Sequence, residues 1–169
     1  MTPTFAERPW LAPSILAAIS AAAILIALAS QIWGGLQPCV LCLWQRWAHG
    51  SAIALALLAV AAALLAGRRW AGRLTALAGI AAFAGAGIAL YHVGVEQQWW
   101  PGTSGCGAGA LTGSSVQDLR AQIEAAPIVR CSDIPWSLFG ISMAGYNAIL
   151  SAALGLFALA AARTILRRA

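Results

Sequence analysis

Charge is what this chain has least of: 10 Lys and Arg with 5 Asp and Glu in 169 residues, 9% in all, where a soluble domain carries about 25%. So few charges cannot solvate a globular surface, which argues against a soluble enzyme or binding module. Polar sequence outside the apolar runs is short, so these residues leave no room for a separate soluble domain. Two further absences narrow the chemistry of the four cysteines, Cys39, Cys42, Cys106 and Cys131. Leu43 follows the C-x-x-C pair where covalent haem attachment requires a histidine. Cys106 and Cys131 lack the close spacing of the second pair in a structural zinc site, so no metal centre is expected.

What is there is apolar: 61% hydrophobic residues and a mean hydropathy of +0.80. A helix needs roughly 20 apolar residues to cross about 30 Å of hydrocarbon. Four segments qualify, at about 13–33, 43–66, 74–92 and 141–162. They predict an all-α integral membrane protein, a single four-transmembrane-helix bundle over residues 1–169. Ala78, Ala82 and Ala86 recur at helical spacing, and such small residues let helices approach closely in lipid. Of the connections, about 34–42 and a basic stretch at 67–73 are short. The one at about 93–140 is long enough to hold a site.

Basic residues orient the bundle, because cytoplasmic flanks carry the excess of Lys and Arg. Arg8, Arg68, Arg69, Arg73, Arg163, Arg167 and Arg168 all flank one side of the spans. Arg46, Arg120 and Arg130 fall on the other, with Glu96, Asp118, Glu124 and Asp133. Both termini are therefore expected in the cytoplasm and all four cysteines in the opposite compartment, which in a bacterium-like cell is oxidising. The basic balance then needs no nucleic acid. Ala27-Leu28-Ala29 has the look of a signal-peptide cleavage site. Yet only Arg8, offset by Glu7, precedes the apolar run, which continues to Ile32 and Trp33, so a retained span is expected.

Chemistry concentrates where the second span begins. Pro38 suits a helix start and puts Cys39 and Cys42 at or near the first turn, where the helix dipole favours an anion. Arg46 lies four residues after Cys42, on the same helical face, and is expected to favour a thiolate on Cys42 over one on Cys39. Such a pair can alternate between dithiol and disulfide. The plain alternative for Arg46 is a snorkelling interfacial residue. His92, at the outer end of the third span, is a candidate to hydrogen-bond a ligand or relay protons. Glu96 is a candidate partner for Arg46, and Asn147 a candidate for bonding across helices.

The long connection opens on Gln98-Trp99-Trp100-Pro101, an interfacial aromatic anchor and a turn. Gly102, Gly105, Gly107 and Gly109 surround Cys106, which is expected to be mobile and reachable by a large partner. Ser115-Val116-Gln117-Asp118 resembles a capping box, and Val116, Leu119 and Ile123 recur on one face up to Pro127. A short amphipathic helix is expected there. If Cys106 and Cys131 serve only as a staple, bridging them stabilises by about 3–4 kcal/mol in the chain-entropy model.

Taken together these motifs resemble the DsbB-type disulfide bond formation proteins, over nearly the whole chain. The residues that carry the resemblance are Pro38-Cys39-Val40-Leu41-Cys42-Leu43-Trp44-Gln45-Arg46, then Tyr91-His92-Val93-Gly94-Val95-Glu96 with Trp100-Pro101 and Cys106, then Cys131 with Asp133-Ile134-Pro135-Trp136. The resemblance implies an inner-membrane protein dithiol:quinone oxidoreductase that reoxidises a periplasmic thioredoxin-fold dithiol oxidase of the DsbA type. It implies catalytic roles for Cys39, Cys42, Cys106, Cys131 and Arg46, and a quinone, ubiquinone or menaquinone, near Cys42, Arg46 and His92. It further implies a Cys106–Cys131 disulfide as the partner's target, with the freed Cys131 attacking Cys39 and releasing Cys42. The chain departs from the family pattern in Gln45, where an acid is usual, and in a slightly shorter connection between Cys106 and Cys131. Two alternatives stand beside this reading. A relative of the vitamin K epoxide reductases would carry its C-x-x-C after the loop cysteines, the reverse of the order here. A non-enzymatic membrane scaffold or zinc-binding protein would need the cysteines only as staples or ligands.

Overall fold

The structure, a computed structural model, describes residue 5 and residues 7–106, 115–125 and 129–168. Four long helices, α1 (Leu11–Ile32), α2 (Val40–Leu65), α3 (Arg68–Glu96) and α5 (Met143–Leu166), are each long and apolar enough to cross a membrane. The chain is a multi-pass, all-α membrane protein. A short α4 (Val116–Ala125) lies in the long connection. A minimal hairpin, β1 (Ser137–Leu138) with β2 (Ile141–Ser142), was not foreseen; it turns through Phe139 and Gly140, both at positive φ.

Element ends follow local chemistry. Gly67, at φ +92°, breaks the chain between α2 and α3, so Arg68, Arg69 and Arg73 lie in the first turns of α3 and not in a connection. At its far end α3 continues through Val93–Glu96 because no breaker stands there: Gly94 is tolerated, and the Trp100 indole occupies the space where its side chain would be. Cys39 and Ser142 cap α2 and α5, each through its own side chain. Ser115 Oγ accepts from the Asp118 N–H at 3.1 Å, the N-cap half of the expected capping box. Ile123's side chain, Pro127, Gly107 and Gly109 lie outside the described residues.

Packing inverts the pattern of a water-soluble bundle. Large apolar side chains such as Leu25, Ile26, Leu57, Leu64, Ile149 and Leu156 face outward, where lipid solvates them as well as a core would. The buried apolar set is mostly alanine. Helix α3 sits between α2 and α5, and α1 packs chiefly on α2. Without a hydrophobic drive between helices in lipid, close backbone approach and interhelical hydrogen bonds hold the bundle. At Gly79 an added Cβ would lie 2.9 Å from the Ala158 Cβ and 3.2 Å from the Gly155 carbonyl oxygen, whereas one at Gly87 would meet nothing within 4 Å.

Gly79→Val is therefore expected to destabilise the detergent-solubilised protein by on the order of 1–3 kcal/mol through overpacking, while Gly87→Ala leaves its thermal midpoint unchanged. Equal midpoints for the two variants would refute the close α3–α5 approach.

Candidate functional site

Cys39 caps α2 from an extended backbone, φ −77° and ψ 174°, and its sulfur accepts from the Cys42 N–H at 3.3 Å. The helix thus begins on the C-x-x-C pair itself, and the Cys39 and Cys42 sulfurs lie 3.0 Å apart as free thiols. Cys39 is buried and Cys42 half-buried.

Cys106 and Cys131 form a disulfide, and the Cys131 N–H donates to the Cys106 carbonyl at 3.0 Å. This disulfide packs directly against the C-x-x-C: Cys39, Leu41, Val95, Cys106 and Cys131 are one buried cluster. His92, from the outer end of α3, joins the two pairs. Its Nε2 lies 3.2 Å from the Cys131 carbonyl oxygen and 3.6 Å from the Cys39 sulfur. The structure therefore brings together all four cysteines and His92, with His92 reaching Cys39 from 53 residues away in the chain. Cys106 departs from expectation: it is 7% exposed. Gly102 serves close packing here, since an added Cβ would lie 2.5 Å from the Cys106 Cβ. Reaching this sulfur requires the loop to shift.

Arg46 directs its hydrogen bonds away from Cys42. Its guanidinium donates to the Gln31 Oε1 at 2.7 Å and to the Ala27 carbonyl at 3.2 Å, both on α1. Its donors tie α2 to α1, although it shares a cavity wall with Cys42. The favoured thiolate is instead at Cys39, just outside the span. Hydrogen bonding from the Cys42 thiol, then from His92, holds the Cys39 thiol down to about 4, against burial, which pushes it up. Spacing alone favoured Cys42 because an (i, i+4) cation was visible in the chain, whereas the donors converging on Cys39 come from a cap and from another helix.

Glu96 is not paired with Arg46. It accepts a hydrogen bond from the Ser142 hydroxyl, and its other oxygen lies 3.9 Å from His92 Nε2. Asn147 bonds across helices, donating to the Gln45 Oε1 at 2.6 Å and accepting from His49 at 2.8 Å. Gln31 and His49 were missed. The signal for His49 was in the chain: Gln45, Arg46 and His49 are three polar residues within five positions of an apolar run, and polar groups at that depth are costly enough to be functional candidates.

A cavity of about 610 Å³ opens beside the pair. Its walls are largely apolar, among them Ala23, Ile26, Ala27, Met143 and Leu150, with Cys42, Arg46, His49 and Asn147 as a polar stripe. That size and composition suit a small apolar molecule carrying a few polar atoms. The disulfide between Cys106 and Cys131 removes two ligands from a four-cysteine zinc site; among the described residues, Cys39, Cys42 and His92 remain a cluster with metal-ligand reach, their ligand atoms within 4.8 Å.

Comparison with known proteins agrees in kind. A family model described as disulfide bond formation protein DsbB matches residues 9–161. The disulfide bond formation protein B of Verminephrobacter eiseniae is 34% identical over 138 residues, 75% of this chain and 70% of the relative. That of Xanthomonas campestris pv. campestris (strain 8004) is 35% identical over 136 residues, 76% of each. The disulfide bond formation protein B 1 of Pseudomonas fluorescens is 31% identical over 135 residues, 80% of this chain and 72% of the relative. No solved structure matches the chain significantly.

With Cys106–Cys131 intact and the other pair reduced, ultraviolet thiolate absorbance is expected to persist on acidification to about pH 6, where an ordinary cysteine of pKa about 8.5 is protonated. A lowered pKa keeps the thiolate present until the pH falls through that lower value. Cys42→Ala and His92→Phe each raise the midpoint, by removing a hydrogen-bond donor to Cys39. A midpoint near the ordinary value in the unaltered protein would overturn this assignment.

Proposed function

The chain belongs to the DsbB family of disulfide bond formation proteins, and from that premise we propose that it reoxidises a periplasmic, thioredoxin-fold dithiol oxidase of the DsbA type and passes the electrons to a membrane quinone. The observation that carries this reading is the direct packing of the loop disulfide on the C-x-x-C pair, with His92 between them and an apolar cavity alongside.

Thiol–disulfide exchange accounts for the order of events. A thiolate of the reduced partner attacks Cys106, the Cys106–Cys131 bond breaks, and Cys131 leaves as a thiolate. Cys131 then attacks Cys39 of the oxidised Cys39–Cys42 bond and Cys42 leaves with the electron pair. The partner's second thiol displaces Cys106, and Cys106 attacks Cys131, breaking the Cys39–Cys131 bond, releasing Cys39 and re-forming Cys106–Cys131. Once the exchange is complete the partner is a disulfide and Cys39 and Cys42 are a dithiol. The donors converging on Cys39 stabilise negative charge at this end of the pair, and burial excludes water and stray thiols.

The donor set suits a quinone. Arg46 and Asn147 carry N–H groups beyond those bonded to Gln31, Ala27 and Gln45, on a largely apolar wall that borders Cys42 and also includes His92, which suits a flat ring with two carbonyl oxygens. A quinone held there supplies the two-electron acceptor that the dithiol needs. Arg46, fixed on α1 by Gln31 and Ala27, orients that wall and brings positive charge next to it. His92 remains the candidate to hold or move a proton at Nε2.

The arginine distribution supports a bacterial inner-membrane location with both termini cytoplasmic. Arg68, Arg69 and Arg73 open α3, and Arg163, Arg167 and Arg168 close α5 or follow it. The cysteine-bearing ends of the helices are the opposite ends.

The purified protein, given a reduced thioredoxin-fold dithiol protein and a water-soluble quinone analogue, is expected to bleach the quinone absorbance. Cys42→Ser and Cys106→Ala are each expected to abolish that, and Cys131→Ser to accumulate a partner mixed disulfide at Cys106. Folded protein that reduces no quinone with several partners would leave the cysteines as staples and sink the enzyme reading.

A further inference from the structure

Behind His92 runs a chain of polar side chains that the exchange steps do not use. Gln45 and His49 are each 6% exposed and Ser151 is 1% exposed, so their polar atoms depend chiefly on one another for hydrogen bonds. Their bonds are continuous across three helices. His49 Nε2 lies 2.8 Å from the Asn147 Oδ1, the Asn147 Nδ2 lies 2.6 Å from the Gln45 Oε1, and the Gln45 Nε2 lies 2.9 Å from the His92 Nδ1. Ser151 closes the far end, within 3.3 Å of Asn147 and 3.4 Å of His49.

The direction of this chain is set by one atom. The Cys131 carbonyl oxygen has only lone pairs, so the His92 Nε2 that faces it at 3.2 Å must carry the hydrogen. A neutral imidazole then has a bare Nδ1, which requires a donor, and among the described residues the Gln45 amide nitrogen, 2.9 Å away, serves. That turns the Gln45 oxygen toward Asn147, which must present its nitrogen. The Asn147 oxygen in turn faces His49, whose Nε2 must donate. Reversing the chain would set two lone pairs against each other at Cys131.

We propose that Gln45, backed by Asn147 and His49, is a positioning residue that holds His92 as the neutral Nε2–H imidazole. Its single hydrogen then bridges the Cys131 carbonyl and the Cys39 sulfur, keeping in register the two cysteines that must join. This rests on the exchange reading above. In the step served, the Cys131 thiolate forms a bond to Cys39, the Cys39–Cys42 bond breaks, and the electron pair leaves on Cys42. Glu96 is the competing neighbour: its carboxyl, 3.9 Å from the same Nε2 and hydrogen-bonded by Ser142, would favour an imidazolium, which needs an acceptor at Nδ1 that Gln45, so oriented, does not offer.

The test is ¹⁵N NMR of histidine-labelled protein in detergent, at about pH 8, above the ordinary histidine value of about 6.5, with Gln45→Glu and Gln45→Met as variants. The unaltered protein is expected to show His92 neutral and protonated at Nε2. Gln45→Glu, which cannot donate to Nδ1, is expected to move the proton to Nδ1 or add a second. Gln45→Met is expected to lose the single tautomer. In rapid-quench reactions with the reduced partner, both variants are expected to form the Cys106 mixed disulfide at the unaltered rate but to reduce Cys39–Cys42 slower by on the order of tenfold or more. An Nδ1–H tautomer or imidazolium in the unaltered protein overturns the proposal, as do variants that keep both its tautomer and its rate. If the unaltered protein has the expected tautomer yet never passes electrons to Cys39–Cys42, the exchange reading fails while the hydrogen-bond relay stands. Should Gln45→Met fail to fold, Gln45→Glu, which preserves size, decides the question alone.

Discussion

Everything at the cysteine site depends on how closely α3 approaches its two neighbours. Gly79 and the alanines of α3 leave so little side chain between backbones that Ala158 and Gly155 of α5 come within contact distance. The same helix carries His92 at its outer end, so its spacing from α2 and α5 decides whether that imidazole reaches Gln45 on one side and the loop disulfide on another. In lipid such packing has no hydrophobic drive behind it. Small residues and short interhelical hydrogen bonds have to hold it, and the Gln45–Asn147–His49 bonds bridge α2 to α5, which lie on either side of α3.

The electrostatics of the site follow from who donates to which sulfur. Cys39 is a helix cap whose sulfur receives the Cys42 N–H and lies against the Cys42 thiol and His92. Arg46 carries the nearest full positive charge in the sequence, yet its hydrogen bonds run to α1. The site thus divides its labour. The cap and the imidazole serve the Cys39 sulfur, while the arginine lies in the wall of the cavity that borders Cys42. Family membership makes thiol–disulfide chemistry the setting in which this division has meaning.

Burial of the loop disulfide adds a constraint. Cys131 is fully buried and Cys106 nearly so, so a protein partner cannot engage them without moving the loop. That same burial lets the Cys131 backbone carbonyl fix the polarity of a hydrogen-bond chain that runs into the bundle. Docking of the loop and the state of His92 are coupled through one hydrogen bond, which ties events at the membrane surface to side chains at the level of α2 and α5.

By itself the sequence determined the four apolar helices, the helix start at the C-x-x-C pair and the cap at Ser115, because each rests on periodicity, length or a cap within a few residues; the Cys106–Cys131 pairing came only with the family resemblance. The order of the cysteine motifs made the family legible as well. Tertiary structure alone decided which partners those residues meet. Arg46 is four residues from Cys42 in the chain but bonds to Gln31 and Ala27, and Glu96 meets Ser142. His49, a polar residue in an apolar run, becomes a link through Asn147, 98 residues away. Such contacts depend on helix rotation and crossing, which the small residues permit but do not specify. A spacing rule sees only neighbours on one helix, and the bonds that orient this site run between helices.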